Sequence, residues 1–145
     1  MMIKIGVLGE QLTSQWLQSK SYCILYHSWR CRWGEIDLIA VDRQANTLVF
    51  VEVKTRSRGN WDSNGLEAVS ASKQSKIIRA ATLFLAKNPQ YAEFYLRFDV
   101  ALVKRQPPKQ VNQLEFIPSS PDCLVSEEGD RFRLIDYLEN AFEVE

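Results

Sequence analysis

Long apolar runs are missing from this sequence. No segment approaches the ~18–20 consecutive apolar residues that cross a bilayer, so no membrane partner is expected. Met1–Glu10 also lacks a basic stretch followed by an apolar one, and a cytoplasmic location is expected. Cysteine is scarce: Cys23, Cys31 and Cys123 are odd in number and form no CxxC, which points to reduced thiols rather than a disulfide framework. Histidine occurs once. His27 completes Cys23-x3-His27-x3-Cys31, but this offers three ligands at an uncommon metal spacing, and semi-buried packing is the better reading. Nothing marks His27 and a cysteine as an activated nucleophile pair. Internal repeats and low-complexity tracts are absent too. What remains is 145 residues, 46% hydrophobic and 25% charged: the size and balance of one folded domain, not of a disordered or fibrous chain.

Net charge is missing only as a sum. Eighteen Lys and Arg offset eighteen Asp and Glu, which at face value argues against a polyanionic partner. The distribution says otherwise. Residues 1–34 carry net +3, 35–53 net −3, 54–87 net +5, 88–114 net +2 and 115–145 net −7. A short acidic segment thus lies between basic flanks, and an acidic tail offsets a basic body.

Apolar spacing predicts a helix over residues 7–20, with Leu8, Leu12 and Trp16 in one stripe. Residues 22–26 read as a strand, followed by a polar, aromatic and basic connection ending at Gly34. Residues 35–42 and 47–55 are β-rich and flank a four-residue loop, a hairpin pattern. Residues 56–66 read as a loop. The clearest helix spans 70–87, with Ser70 or Ser72 as its cap, Ile77, Ala81, Phe84 and Leu85 as its stripe, and Asn88-Pro89 as its end. A strand is expected at 94–103, a linker or hairpin tip at 106–113, a further strand at Leu114–Ile117, and a terminal helix over Phe132–Phe142. This order implies an α/β fold, a mixed sheet flanked by helices.

Polar residues interrupt the hairpin's apolar strands. If Arg43–Asn46 is the whole loop, Asp42 pairs with Thr47, Asp37 faces Glu52, and Glu35 faces Lys54. A bulge would spoil that register. Alternation places Ile36, Leu38 and Ala40 on one face and Glu35, Asp37, Ile39 and Val41 on the other. Facing carboxylates repel unless a cation or proton lies between them. Their hard oxygens suit Mg²⁺ or Mn²⁺, which lowers the pKa of bound water and stabilises charge developing on phosphorus. Lys54 lies on the same strand face as Glu52 and could orient the water. The set suits phosphodiester hydrolysis, although a solvated face of weak ion pairs would use the same residue types.

Asp37 followed by Glu52-Val53-Lys54 on the second strand of a hairpin resembles the PD-(D/E)XK nuclease superfamily. Glu10, in a helix ahead of the hairpin, resembles an additional acid of its archaeal Holliday-junction-resolvase branch. The wider text resembles the small bacterial YraN-like family: Gly6-x2-Gly9-Glu10, Gly34–Ala40, Phe50–Arg56, Lys73 and its helix, Arg97–Val100 and Glu139–Phe142. The resemblance implies a restriction-endonuclease-like domain over 1–145, with a core at about 6–104 and a variable linker and acidic segment at 105–145. It implies Asp37 and Glu52 as metal ligands, Lys54 as the catalytic lysine, and Glu10 as an additional ligand, with Glu35 in support. It also implies Mg²⁺ or Mn²⁺ as cofactor and DNA as partner, and it allows a homodimer, since related nucleases pair to cut two strands. Ile36 stands where the superfamily's name has Pro. Arg56, Arg58, Lys73 and Lys76 are the expected phosphate contacts. Trp29, Arg30, Arg32, Trp33 and Trp61 are candidates to stack on bases, with core packing the commoner role of tryptophan. The rival reading is a non-catalytic nucleic-acid-binding module that keeps the nuclease fold.

Overall fold

The hairpin organises the molecule. In a computed structural model that describes residues 4–57, 69–108 and 120–143, strands β2 (Gly34–Asp42) and β3 (Thr47–Arg56) pair antiparallel from Asp42–Thr47 to Leu38–Val51, the register read from the loop length. The Asp42 carboxylate closes the turn by accepting from the backbone N–H of Gln44 at 3.1 Å and of Ala45 at 3.3 Å. Asn46 takes the left-handed conformation there, at φ 48°, which Asn tolerates better than most residues.

Strand β1 (Cys23–Cys31) pairs antiparallel with β2. It is longer than expected, and the supposed connection after residue 26 shrinks to Arg32 and Trp33. Trp29 and Cys31 pack on the core while His27 and Arg30 are exposed, and the left-handed Ser28 at φ 51° interrupts the simple alternation between His27 and Trp29, so a polar-looking stretch is an edge strand with one wet face.

β3 runs parallel to β4 (Tyr95–Gln106), from Thr47–Tyr95 to Arg56–Lys104. A parallel pair needs a crossover, and α2 (Ala71–Lys87) supplies it. The Ser70 hydroxyl caps α2, accepting from Lys73 N–H at 3.2 Å as expected, and Pro89 opens a short 3-10 turn after its end. Phe84 anchors the helix in an aromatic cluster with Tyr26, Trp29, Phe50 and Tyr91.

The expected terminal helix is instead a strand, β6 (Arg131–Phe142), antiparallel to β4 and bordered by the short β5 (Cys123–Val125). Phe132 and Leu134 are buried while Arg133 and Ile135 are exposed, which is strand alternation. Two register shifts against β4 then re-phase the chain, so that Leu138 and Phe142 also reach the core. The resulting spacing of Leu134, Leu138 and Phe142 imitates a helical stripe. The expected strand at 114–117 lies outside the described residues.

The six-stranded sheet has the order β1-β2-β3-β4-β6-β5. This is the mixed sheet flanked by helices that the sequence implied, and it is compatible with a restriction-endonuclease-like fold. One face packs on α2 through Ile39, Val41, Leu48, Phe50 and Phe98. The other packs on α1 (Ile5–Ser19) through Leu38, Ala40, Val49, Val51 and Phe132. Among the described residues no helix is long and apolar enough to cross a membrane.

The motifs Arg97–Val100 and Glu139–Phe142 meet in space. Asp99 is fully buried and accepts from Arg97 Nε at 3.0 Å, Arg97 Nη2 at 2.9 Å, the Tyr137 hydroxyl at 2.6 Å and Asn140 N–H at 2.9 Å. Arg97 Nη2 also donates to the Tyr22 hydroxyl at 2.7 Å. Burial first, then the charge of Asp99, holds the Tyr137 phenol protonated far above its usual range. This network ties β6 to β4 and to the chain leaving α1.

α1 approaches β3 at Gly9, where an added Cβ would collide with Thr55 Oγ1. That hydroxyl is itself buried with no hydrogen-bond partner. We expect Gly9→Ala to lose about 1–3 kcal/mol from overpacking, against about 1 gained from helix propensity. A second change, Thr55→Ala, should restore the melting temperature, because it removes the colliding atom and leaves no polar group unpaired.

Candidate active site

Pairing of β2 with β3 stops at Leu38–Val51. At the next position a side chain replaces the main chain: Asp37 Oδ2 accepts from Val53 N–H at 2.8 Å. The strands part here. The expected facing pairs therefore do not form as ladder positions, and Glu35 instead pairs across β1 with Arg30, whose guanidinium it meets at 3.2 Å. Both groups are substantially exposed, so that ion pair adds little stability. The expected alternation also breaks at Asp37. Ile36 packs with Ile39 and Val41 on the α2 side, not with Leu38 and Ala40.

The opening gathers acids from two elements. One carboxylate oxygen each from Glu10 on α1 and Glu35 and Asp37 on β2 lie within 4.8 Å of one another. Among the described residues this is the one such group of three His, Cys, Asp or Glu, so Cys23, His27 and Cys31 form no ligand set. Gly9 makes the approach that brings Glu10 here. Burial is the main reason the Asp37 carboxyl is pushed up to about 8; the charge of Glu52 and the hydrogen bond and charge of Glu10 add to it, against the Val53 N–H. Glu10 is raised as well, again mainly by burial, with Glu35 and Glu52 contributing. Hard oxygens converging under mutual repulsion match a divalent cation.

Glu52 is 3% exposed and its Oε1 is held by Lys73 Nζ at 2.6 Å and Lys54 Nζ at 3.4 Å. Burial alone would lower the Lys73 pKa; the hydrogen bond and charge of Glu52 outweigh it and raise the net value. The structure thus groups Asp37 and Glu10 with Glu35, while Glu52, expected as a ligand, lies outside that group: it acts on Asp37 through its charge and is itself held by Lys54 and Lys73. It brings Lys73, expected at phosphates, onto Glu52. Lys76 lines a cleft of about 540 Å³ beside the acids, together with Trp33, Gly34, Ser70, Ser72 and Lys73. Arg56 is exposed at the end of β3. Arg58 and Trp61 lie outside the described residues. Trp29 packs on Phe84 and Trp16 on Tyr137, both core roles. The serine wall was missed because Ser70 reads only as a cap; its signal was the proximity of the helix start to the basic stripe.

The Asp37 shift has a consequence for metal binding. The site must lose a proton to offer Asp37 as an anion, so apparent affinity for Mn²⁺ should rise with pH and level off above about 8. Calorimetry across pH 6–9, repeated in buffers of different ionisation enthalpy, would show proton uptake by the buffer below that point.

A mixed sheet opened at one hairpin, with acids and lysines converging at the opening, defines a class of small α/β proteins built around a polar cleft. Residues 9–103 match the family described as Uncharacterised protein family UPF0102, and the chain belongs to that family. A UPF0102 protein of Trichormus variabilis is 47% identical over 146 residues, covering 97% of this chain and 95% of its own. One from Nostoc sp. is 46% identical, covering 85% of this chain and 97% of its own. One from Thermosynechococcus vestitus is 50% identical over 102 residues, covering 70% of this chain and 82% of its own.

Proposed function

We propose that the chain is a metal-dependent nuclease of PD-(D/E)XK type that hydrolyses phosphodiester bonds in DNA, including branched or single-stranded structures, during repair or processing in the cytoplasm. The observation that carries this reading is the parted hairpin. It makes Asp37 a substitute for a strand partner and so gathers Asp37, Glu52 and Lys54 beside Glu10. Asp37, Glu52 and Glu10, with Glu35 in support, would hold Mg²⁺ or Mn²⁺. The ion supplies a lowered pKa for bound water and charge stabilisation at phosphorus.

The chain's own residues do the rest. Lys54 presents its ammonium to the attacking water and to the charge that develops on phosphate. The Val53 N–H fixes the Asp37 carboxylate, so its orientation does not depend on substrate. Lys73 and Glu52 hold each other's geometry at the mouth of the cleft. Lys76 and Arg56 attract the backbone on either side. A homodimer would place two such sites on the two strands of a duplex.

One observation favours the rival, a non-catalytic nucleic-acid-binding module: Lys73 and Lys54 already neutralise Glu52 without a cation. Calorimetry separates the two. The nuclease reading expects Mn²⁺ binding that disappears in Asp37→Asn, accompanied by nicking of DNA by the wild-type chain. DNA binding with neither Mn²⁺ binding nor nicking would favour the module.

A further inference from the structure

Several cations described in the structure have an acid: Arg30 has Glu35, Lys54 and Lys73 have Glu52, Arg97 has Asp99 and Arg105 has Asp130. Three beside the cleft have none. Arg32, Lys76 and Arg79 form no ion pair among the described residues, yet they gather at one rim.

Trp33 is the reason. It lies in the two-residue turn between β1 and β2, packs one edge on the α2-side core, and lines the cleft. Arg32 Cζ stands 5.1 Å from its ring centroid and Arg79 Cζ stands 4.7 Å from it. These two guanidinium groups come from separate elements and repel each other. The indole holds both, each cation–π contact contributing about 0.5–1 kcal/mol at such an exposed place. The arrangement concentrates positive charge with no carboxylate in ion-pair contact among the described residues, although Glu35 and Asp37 line the same cleft as Lys76 and Glu143 lines a neighbouring one with Arg79.

The rim also has a direction. Lys73, Lys76 and Arg79 follow at i, i+3 and i+6 on α2, about 4.5 Å of axial rise per step. Lys73 sits on Glu52 at the proposed reaction centre. Arg79 is therefore roughly 9 Å further along the helix and turned toward Trp33, where its long guanidinium side chain could reach the next phosphate of the same strand. Guanidinium groups already cover the ring, so the group recognised here is a phosphate, not a base.

We infer that Trp33, Arg32, Arg79 and Lys76 form a second phosphate subsite, which holds the backbone phosphate adjoining the reacting one and requires the substrate strand to continue along α2. This rests on the nuclease reading for the identity of the first phosphate, but not for the existence of the second.

The test uses thymidine oligonucleotides of increasing length, from dinucleotide to hexanucleotide, titrated by calorimetry without divalent metal into the full chain carrying Asp37→Asn, so that cutting is suppressed. Affinity should rise at least tenfold with length. Arg79→Ala should remove most of that rise and shrink the slope of log affinity against log salt by about 0.7, the value for one single-strand phosphate contact. Trp33→Leu should do the same although both arginines remain, and Trp33→Phe should restore the rise. Arg43→Ala, at the remote hairpin turn, should change nothing. If Arg79→Ala behaves like Arg43→Ala, the subsite is overturned. It is also overturned if Arg79→Ala weakens only inorganic phosphate and leaves the length dependence intact. Cleavage by the chain with Asp37 is read separately. An Arg79-dependent length effect without cutting removes the nuclease and keeps the subsite; cutting without that effect does the reverse.

Discussion

Asp37→Asn is expected to have two opposite effects. Cleavage should fall roughly 10²–10³-fold or more, the scale on which loss of one preorganised charged partner acts. The melting temperature of the metal-free protein should rise at pH 8–9. Folded Asp37 titrates at about 8, against an ordinary value of 3.8, so between these values the folded chain keeps a proton that the unfolded chain has released. Raising the pH through that window therefore favours unfolding, by up to about 1.4 kcal/mol per pH unit for one proton. The lost stability is fully present below about 4 and gone above about 8. Asn cannot ionise, and its amide keeps an acceptor for Val53 N–H and gains a donor for Glu10. The variant should show a flatter melting curve against pH while binding no Mn²⁺. A site that is costly to fold and is rescued by removing one charge is what a preorganised metal centre requires.

The largest loss of stability should come from Asp99→Ala. The substitution leaves Arg97 charged and half-buried with its principal partner gone, and it orphans the Tyr137 hydroxyl and the Asn140 N–H. Breaking such a buried pair costs about 3–5 kcal/mol, which corresponds to a drop of about 10–16 °C for a domain of this size. Tyr137→Phe removes one donor only and should cost about 1.5–3 kcal/mol. Because β3 and β4 run in register, with Val51 beside Asp99 and Glu52 beside Val100, loosening β4 also loosens the strand that carries Glu52. Thermal melts of the two variants, with Mn²⁺ affinity measured on the folded fraction, would separate the two consequences.

The hairpin register was legible because two alternating strands flank a loop of fixed length. The parting of its strands was not. Nothing in the spacing of Glu35, Asp37 and Ile39 says that a carboxylate will take the place of a ladder carbonyl, and that event moves Glu35 to the acid group of Glu10 and Asp37 and away from Lys54. β6 was misread because two register shifts space its core residues as a helix would. β1 was shortened because an edge strand shows only half its residues to the core. The acidic tail also changes meaning. Asp130 meets Arg105 at 2.7 Å, Asp136 bonds the Tyr137 N–H and Glu143 bonds Asn140. These described acids serve local contacts around β6 rather than on a detached helix. The zero net charge therefore conceals a basic rim, an acidic centre and an acidic C-terminal stretch.

The most direct measurement is cleavage of a matched set of DNA substrates, duplex, single-stranded, flapped and four-way branched, in Mn²⁺ or Mg²⁺. Wild type is compared with Asp37→Ala and Glu52→Ala prepared identically. A metal-dependent nuclease cuts at least one of these, and neither variant cuts it. Equal residual cleavage by all three proteins on every substrate would contradict the account.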